Sequence, residues 1–407
     1  MKVFSIHNQQ LSMKKLTGLR PAFLFMTRRG FSTSNSSEKV TGPLRGEVKL
    51  MTSSKLNFGD VLIVPQKSFV HSRSKVDIKT TYNFKYSNHS WTGVPIMSSN
   101  MDTVTNENTA AILEEFEWIS VFPKHFNIEW ETAEKLPAVI NKPDTYALSC
   151  GTSEAEIQTI MRTIKKIEQE SGNKPKMICV DVANGYLDVL VQKCRQIREM
   201  MPDVILIAGN VVTPEGMYQL VHKGYCDIIK VGIGSGAACT TRLKTGVGYP
   251  QFSAIVECAN AAKSYGCHII SDGGAVFAGD CAKAFAANAS YIMLGSMLAG
   301  HNESPGDLII DKNTGKAYKE YYGMSSKRAN EKYFGGLQSY RAAEGKLTHI
   351  PVKGPLAETI QDIEGGIRSA CTYVNAESLE ELSQNAVFVE VKQTYNGSLD
   401  HYVVGRI

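Results

Sequence analysis

The chain has 407 residues, of which 43% are hydrophobic and 21% are charged, and its formal net charge is +4. This composition is typical of a globular protein with a buried core and excludes collagen-like and largely disordered chains. Six of the 44 Lys and Arg residues lie in the first 37 residues, which contain no acid, and the rest of the chain has 38 basic and 40 acidic residues. The body therefore lacks the basic excess of a nucleic-acid-binding protein.

The first 50 residues are predicted to be an extension that precedes the folded body. Residues 1–37 are rich in Arg, Lys, Ser and Thr and include Arg28–Thr33, a pattern typical of a mitochondrial presequence with its processing site. A disordered tail is the alternative. The longest apolar run, Ala22–Met26, is too short for a secretory signal or a membrane span. Because Met51 precedes the body, translation from it would give a cytosolic form, so the sequence predicts the cytosol or the mitochondrial matrix.

Nine cysteines are scattered along the chain without a C-x-x-C pair. In a chain without a secretory signal, this spacing favours reduced thiols over disulfides or a zinc site. Most of these cysteines are expected to be small buried hydrophobic residues.

Short apolar runs rich in Val and Ile alternate with longer amphipathic segments from Gly93 onward. The runs are continuous rather than alternating, as expected for parallel strands covered on both faces. Strands are predicted at Val94–Met97, Trp118–Val121, Tyr146–Ser149, Met177–Val182, Val204–Ala208, Ile228–Val231, His268–Ser271 and Tyr291–Leu294. Helices are predicted at 104–116, 129–140, 153–171, 186–200, 213–223, 250–265, 278–288 and 357–374.

Eight strands, each followed by a helix, is the number that closes a (β/α)₈ barrel. An open, doubly wound sheet would give the same alternation. The barrel is favoured because almost every unusual cluster directly follows a strand, and in a barrel those strand ends meet on one face. The clusters are Ser98–Asp102, Lys124–His125, Asp181–Tyr186, Gly209–Asn210, Gly232–Arg242, Asp272–Gly274 and Gly295–Ser296. We therefore predict one α/β barrel domain over residues 51–407.

Two segments interrupt the alternation. Residues 297–356 separate the eighth strand from its helix, and a connection of this length in a compact domain is usually a lid, so we predict an active-site flap. Residues 51–92 precede the first strand and are predicted to close the bottom of the barrel or to contact a neighbouring subunit.

The loop Lys230–Arg242 contains three glycines at alternate positions and ends in Cys239-Thr-Thr-Arg. Such glycines let the backbone turn tightly and point its carbonyls or amides at a bound ion. Buried packing is the commoner role of a cysteine, and Cys179 inside the fourth strand is predicted to have it. Cys239, on a polar loop at the active face, is instead placed to react as a thiolate.

Two glycine-containing turns follow the seventh and eighth strands, Asp272–Gly274 and Gly295–Ser296. These loops form the usual phosphate site of barrels, although ordinary turns are the alternative. Because phosphate would repel a carboxylate, Asp272 is predicted to accept a hydrogen bond from a ribose hydroxyl. In the flap, Glu344 could bind a base or relay a proton, and a solvated charge pair is the alternative.

At these residues the chain resembles the family of IMP dehydrogenases and GMP reductases, from about Lys55 to Val374. The family shares the loop Gly234–Arg242, the Asp272–Gly274 turn and the run Tyr322–Ser325. The dehydrogenases typically carry a regulatory module between the second and third strands, whereas only 24 residues lie between Val121 and Tyr146 here. The runs at 181–186 and 340–346 also resemble the reductase branch.

The resemblance implies NADPH-dependent reductive deamination of GMP to IMP and ammonia. Cys239 would attack C2 of guanine to form a thioimidate, and Thr241 and Glu344 would handle the proton as ammonia leaves. Hydride from NADPH would then reach C2 and release IMP. The alternatives are the NAD-dependent oxidation of IMP to XMP and a nucleotide-binding regulator without chemistry.

The resemblance also implies a set of ligand contacts and a homotetramer. GMP contacts would be Asp272, Gly273, Gly274, Gly295, Ser296, Gly323, Met324, Ser325, Arg341 and Gly345. Cofactor contacts, some from a neighbouring subunit, would be Ser72, Arg73, Lys124, Asp181, Val182, Ala183, Ile233, Gly234, Met324, Tyr340, Arg341, Ser369, Ala370, Cys371 and Thr372. A potassium site would be built from backbone carbonyls at Gly234, Gly236, Cys239 and Arg242. The chain departs from the family at Ser235, where Pro is common, and at Ser296, where Gly is common.

Overall fold

The computed structural model of the protein describes residues 51, 53–125, 142–172 and 174–391. The described residues from Ser53 onward belong to one compact unit. The predicted presequence-like extension and the helix predicted at 129–140 lie outside the described residues. None of the helices in the described ranges is long and apolar enough to cross a membrane.

Eight parallel strands close a barrel in which each strand pairs with its neighbour in chain order. The last barrel strand pairs with the first, with Leu294 beside Ser98. This closure confirms the predicted (β/α)₈ barrel and rejects the open sheet. The strands are β1 Val61–Ile63, β2 Thr80–Asn83, β3 Ser90–Gly93, β4 Ile96–Ser98, β5 Ile119–Phe122, β6 Tyr146–Cys150, β7 Met177–Asp181, β8 Ile205–Val211, β9 Ile228–Val231, β10 His268–Asp272, β11 Tyr291–Leu294, β12 Leu308–Ile310, β13 Ala317–Tyr322, β14 Leu347–Pro351 and β15 Phe388–Glu390, of which β4 to β11 form the barrel.

Helices follow the barrel strands, and several of them begin at side-chain caps. Asn106 and Thr213 each accept a hydrogen bond from a backbone N–H in the first turn, and Ser153 forms a reciprocal capping box with Glu156. Such caps satisfy donors that the helix leaves free at its start. The helices are α1 Glu107–Glu115, α2 Glu154–Ser171, α3 Asp188–Met200, α4 Pro214–His222, α5 Thr241–Thr245, α6 Gln251–Tyr265, α7 Ala278–Ala286, α8 Lys327–Phe334, α9 Leu356–Tyr373 and α10 Leu379–Asn385.

The core has two layers, and each barrel strand contributes to both. In β7, Met177 and Cys179 belong to the cluster inside the barrel, whereas Ile178 and Val180 pack in the layer between strands and helices. Successive side chains of a strand point to opposite faces. Because both faces are buried, the strand sequences are continuously apolar.

The hairpin formed by β2 and β3 covers the end of the barrel at which the strands begin. Tyr82 donates from its hydroxyl to the carbonyl of Ser290 at 2.8 Å, and Trp91 donates from its indole N–H to the carbonyl of Asp144 at 3.0 Å. Ser290 directly precedes β11, and Asp144 lies two residues before β6. The segment before the first barrel strand therefore closes the bottom of the barrel, which is one of the two roles predicted for it.

The segment between β11 and α9 is a folded insertion rather than an open loop. It contains the antiparallel sheet β12–β13–β14, with α8 between its second and third strands. The predicted flap is thus a small unit with its own hydrogen bonds. A second antiparallel pair, β1 with β15, joins residues 61–63 to residues 388–390.

Candidate active site

A cavity of about 230 Å³ lies where the barrel strands end and the flap covers them. Its wall combines residues at the ends of β4, β7, β8, β9 and β10 with residues of the flap. This is the face on which barrel enzymes build their active sites. The lining residues are Ser99, Asn100, Met101, Asp181, Val182, Ala183, Asn210, Lys230, Gly232, Ile233, Gly234, Gly236, Ala238, Cys239, Thr241, Asp272, Tyr321, Gly323, Met324, Ser325 and Glu344.

The glycine loop after β9 brings Cys239 to the cavity. Gly232 and Gly234 have φ values of +157° and +76°, which other residues rarely adopt. A Cβ on Gly232 would lie 2.1 Å from the carbonyl oxygen of Asp272, so the close approach of this loop to β10 requires glycine. The backbone N–H of Cys239 donates to the carbonyl of Gly236 at 3.0 Å, and α5 begins two residues later.

Cys239, Thr241 and Glu344 form a chain of hydrogen bonds. The Cys239 Sγ donates to Thr241 Oγ1 at 3.1 Å, and Thr241 Oγ1 donates to Glu344 Oε2 at 2.8 Å. The direction of donation leads from the thiol to a carboxylate. A nucleophile connected to an acceptor in this way can lose its proton as it attacks.

The flap holds Glu344 against the glycine loop through backbone contacts. The N–H of Thr240 donates to the carbonyl of Glu344 at 2.7 Å, and the N–H of Glu344 donates to the carbonyl of Ser325 at 3.1 Å. Cβ atoms on Gly323 or Gly345 would lie 2.9–3.0 Å from backbone atoms of the facing segment. We call the hydrogen-bonded chain of Cys239, Thr241 and Glu344 the proton relay. The flap segments that contain Gly323, Met324, Ser325 and Gly345, all predicted GMP contacts, lie directly beside it.

Lys230 is buried beneath the cavity between two carboxylates. Its Nζ lies 2.5 Å from Asp181 Oδ1 and 3.2 Å from Asp272 Oδ2, and it donates to Asn100 Oδ1 at 3.3 Å. Burial alone would lower the pKa of Lys230, but the two carboxylates outweigh it and raise the pKa above its ordinary value. Burial alone would raise the pKa of Asp181, but the charge of Lys230 together with the hydrogen bonds from Lys230 and Asn100 lowers it below its ordinary value. Lys230 thus joins a predicted cofactor contact to a predicted ribose contact.

Sequence analysis assigned no role to Lys230. The available signal was a lysine inside the otherwise apolar strand Ile228–Val231, because a buried lysine normally needs a charged partner.

The turns predicted to bind phosphate lie at the same end of the barrel as the cavity. Asp272 lines the cavity and accepts a hydrogen bond from Asn210 Nδ2 at 2.7 Å. The turns follow adjacent strands, β10 and β11. Their four other predicted residues, which lie outside the cavity lining, are Gly273, Gly274, Gly295 and Ser296.

The predicted cofactor contacts fall into two groups. The first group lines the cavity and comprises Asp181, Val182, Ala183, Ile233, Gly234 and Met324. The second group comes together elsewhere, because the short helix Arg73–Lys75 packs against α9, which carries Ser369–Thr372 in its last turns. Neither Ser72 nor Arg73 lines the cavity, and the Cys371 side chain is fully buried.

Three other predicted contacts lie outside the cavity lining. Lys124 follows β5, and its Nζ is 3.6 Å from the carboxylate of Glu156 on α2. Tyr340 and Arg341 are exposed on the flap, where the guanidinium lies 5.9 Å from the tyrosine ring centroid.

The predicted potassium ligands include carbonyls that already accept hydrogen bonds. The carbonyl of Gly236 accepts from Cys239 at 3.0 Å, and that of Arg242 accepts from Gly246 at 3.2 Å. A carbonyl oxygen has two lone pairs, so these contacts leave room for a cation. Within the described part of the chain, no group of three or more His, Cys, Asp or Glu residues is placed to hold a metal.

Comparison with known proteins places this chain among nucleotide enzymes. Residues 55–400 match the family model of the IMP dehydrogenase / GMP reductase domain. A GMP reductase of Phytophthora infestans is 47% identical over 350 residues, which cover 86% of this chain and 94% of that protein. GMP reductase 2 of Homo sapiens is 47% identical over 344 residues, covering 84% and 96%. A GMP reductase of Shewanella pealeana is 45% identical over 349 residues, also covering 84% and 96%.

Proposed function

Since the chain belongs to the IMP dehydrogenase / GMP reductase family, we propose that it is a GMP reductase, which converts GMP to IMP and ammonia with NADPH. The observation that carries the proposal is the hydrogen-bonded chain of Cys239, Thr241 and Glu344 at the cavity. The names of the relatives favour this reaction over the oxidation of IMP. A regulator that only binds nucleotides would not need this relay.

The first step forms a bond between Cys239 and the base. As the Sγ attacks C2 of guanine, the thiol proton passes through Thr241 to Glu344. The bond between C2 and the amino nitrogen then breaks, and the proton held by Glu344 leaves with ammonia. The product of this step is a thioimidate, with no change in oxidation state.

The second step releases IMP. When bound, NADPH supplies a hydride to C2 of the thioimidate. The bond from C2 to Sγ then breaks, and Cys239 leaves as a thiolate that takes a proton from solvent. Asp181 and Asp272, fixed by Lys230, orient cofactor and ribose.

The cavity has polar atoms that suit a nucleotide and a nicotinamide. The buried Ser99 Oγ and Asn210 Oδ1 have no hydrogen-bond partner among the described residues. Both residues line the cavity, so a polar ligand could satisfy them. Lys124 and Arg73 would supply the positive charge that distinguishes NADPH from NADH. Lys124 would then have to leave Glu156.

We extend the proposal to the ion, the assembly and the compartment. Potassium would bind the carbonyls of Gly234, Gly236, Cys239 and Arg242 and stabilise the loop that carries the nucleophile. Replacing potassium by lithium should then lower turnover.

Light scattering should give the mass of a homotetramer, and mass spectrometry of the native N-terminus should decide between the mitochondrial matrix and the cytosol.

A spectrophotometric assay tests the proposed reaction. Purified protein with GMP and NADPH should consume reduced nicotinamide and release ammonia and IMP in equal amounts. The matched assay contains IMP and NAD. Formation of NADH and XMP in that assay, without turnover of GMP, would overturn the proposal in favour of the dehydrogenase reaction.

A further inference from the structure

A carboxylate on the barrel accepts three hydrogen bonds from the flap. Asp102 lies in the loop after β4, and its Oδ2 accepts from the Tyr322 hydroxyl at 2.7 Å and from Lys332 Nζ at 3.0 Å. The Tyr333 hydroxyl donates to the same oxygen. Tyr322 is the last residue of β13, whereas Lys332 and Tyr333 belong to α8. One oxygen of the barrel thus binds both elements that flank residues 323–326.

The surroundings of Asp102 strengthen these bonds. Its side chain is 8% exposed, and its Oδ1 has no hydrogen-bond partner among the described residues. Burial, and then the hydrogen bond to Asp102, raise the pKa of the Tyr322 and Tyr333 hydroxyls, so both remain donors. Hydrogen bonds to an ionised acceptor are roughly twice as strong as neutral ones.

A ring contact from a second barrel loop also holds α8. His125 follows β5 and stacks on Tyr333, with ring centroids 4.2 Å apart and an angle of 17° between the rings. It meets Phe334 edge-on at 5.3 Å. Burial, and then the charge of Lys124, lower the pKa of His125, so the ring is neutral at neutral pH. The loops after β4 and β5 thus hold the same helix.

The segment between the docked elements leads directly to the proton relay. Met324 and Ser325 line the cavity, and the carbonyl of Ser325 accepts from the N–H of Glu344. The N–H of Gly323 donates to the carbonyl of Lys346 at 3.2 Å. A shift of Tyr322 or α8 would therefore move the backbone that fixes Glu344.

We propose that Asp102 is a positioning residue for the reaction, which docks the flap on the barrel and thereby holds Glu344 within hydrogen-bond distance of Thr241. Asp102 acts through Glu344 and does not touch the reacting atoms. The inference rests on the proposed function and adds a residue to it. It assigns to Asp102 an effect on proton transfer, with little effect on GMP binding.

Two conservative variants of the full chain test the inference. Asp102→Asn removes the charge that the three donors share, and Tyr333→Phe removes one hydroxyl from a half-buried ring. We expect kcat for ammonia release to fall on the order of tenfold or more in each, with less than about a threefold change in KM for GMP. Glu331→Gln is the matched control, because Glu331 lies on α8 but pairs with Lys327 in solvent. It should keep the kcat of the unaltered protein.

A double-variant cycle separates positioning from a general structural effect. If Asp102 acts through Glu344, Asp102→Asn should cause no further loss of kcat in a Glu344→Gln background. A reduction of kcat by the same factor in both backgrounds would overturn the inference, as would an unchanged kcat in both single variants. Hydrogen exchange of residues 308–351 supplies a readout that does not need turnover. Faster exchange in Asp102→Asn than in Glu331→Gln supports docking, and equal exchange rejects it. Failure of the unaltered protein to reduce GMP would reject the proposed function instead.

Discussion

The sulfur of Cys239 differs from most of the other cysteine sulfurs in its surroundings. Seven of the nine cysteines are buried, whereas Cys239 and Cys267 are partly exposed. Burial raises the pKa of the Cys179 thiol to about 12, so that group stays protonated and unreactive near pH 7. Cys239 instead donates to Thr241 at the cavity. Its position on the loop at the cavity, rather than its residue type, is what supports the proposal that Cys239 is the nucleophile.

Cys239→Ala should abolish turnover, by at least about a thousandfold, because no other group can form the covalent bond to C2. GMP should still bind with an affinity within a few-fold of the unaltered protein, since the turns after β10 and β11 are unchanged. Turnover by nicotinamide absorbance and affinity by calorimetry check both expectations. Cys267→Ala, at the other partly exposed thiol, is the control and should retain activity. Near-normal rates in Cys239→Ala would exclude the covalent route.

Glu344→Gln should slow ammonia release by a factor on the order of 10² to 10³, because the amide cannot take the proton that Thr241 passes on. The side chain keeps its size, and the backbone bond from Thr240 to residue 344 is retained. Rapid-quench measurement of ammonia and calorimetry with GMP separate chemistry from binding. A variant with normal turnover but weakened GMP affinity would reassign Glu344 to substrate binding.

At the scale of elements, the contact between the flap and the glycine loop leaves no room for a side chain. A Cβ on Gly323 would lie 3.0 Å from the carbonyl oxygen of Ala238 and 3.0 Å from Cα of Gly345. We expect Gly323→Ala to displace the flap and to reduce kcat with little loss of thermal stability. Gly365→Ala in α9 is the control, because the new methyl group meets nothing within 4 Å. It should keep full activity and gain about 0.4–1 kcal/mol in unfolding free energy. Equal kcat values in the two variants would contradict the tight contact.

The barrel elements could be predicted from sequence because both faces of each strand are buried. The predicted strand at 228–231 has the bounds that the structure shows, and the predicted helix at 153–171 begins only one residue early. The flap strands were not foreseen. In β12, Leu308 and Ile310 are exposed, so burial imposes no pattern there. Strand β1 was also missed, because its partner β15 lies more than 300 residues away in the chain.

The candidate site was predictable where one segment carries the signal. The glycine loop pointed to Cys239 because glycines and a thiol occur together in it. The contact of Thr241 with Glu344 spans 103 residues, and that of Asp102 with Tyr333 spans 231 residues. Spacing within a segment gives no information on such pairs. The joint role of Thr241 and Glu344 therefore depended on the family resemblance, and the contact of Asp102 with the flap was missed.

At the scale of the whole molecule, the free energy of unfolding should fall in mild acid, in part through His268 at the base of the barrel. His268 has Nε2 at 2.9 Å from the carbonyl of Asn83 and Nδ1 at 3.2 Å from Ser290 Oγ. Burial lowers its pKa below 6.5. Because the unfolded chain takes up the proton first, the contribution is fully present above about pH 6.5 and is lost as the pH falls through the lowered folded value.

Urea unfolding from about pH 8 to about pH 5 should therefore show a declining free energy of unfolding. His268→Gln should reduce this decline of unfolding free energy with falling pH. Part of the decline should remain, because the pKa values of His125 and His301 are also lowered. Lys263→Gln, on the nearby helix α6, is the control and should show the same decline of unfolding free energy as the unaltered protein. An undiminished slope in His268→Gln would assign the acid sensitivity to other groups.

The pairing of β1 with β15 brings distant parts of the chain side by side. The N–H of Val64 donates to the carbonyl of Val387 at 2.8 Å, and the N–H of Val391 donates to the carbonyl of Asp60 at 2.9 Å. A flexible peptide from residue 391 to residue 53, which keeps the buried Phe58 in the chain, could therefore make the polypeptide a ring. Cutting that ring at the exposed turn around Asn313 should yield a circular permutant with an unchanged far-ultraviolet spectrum. Such a permutant would show that closure of the barrel does not depend on which strand is synthesised first.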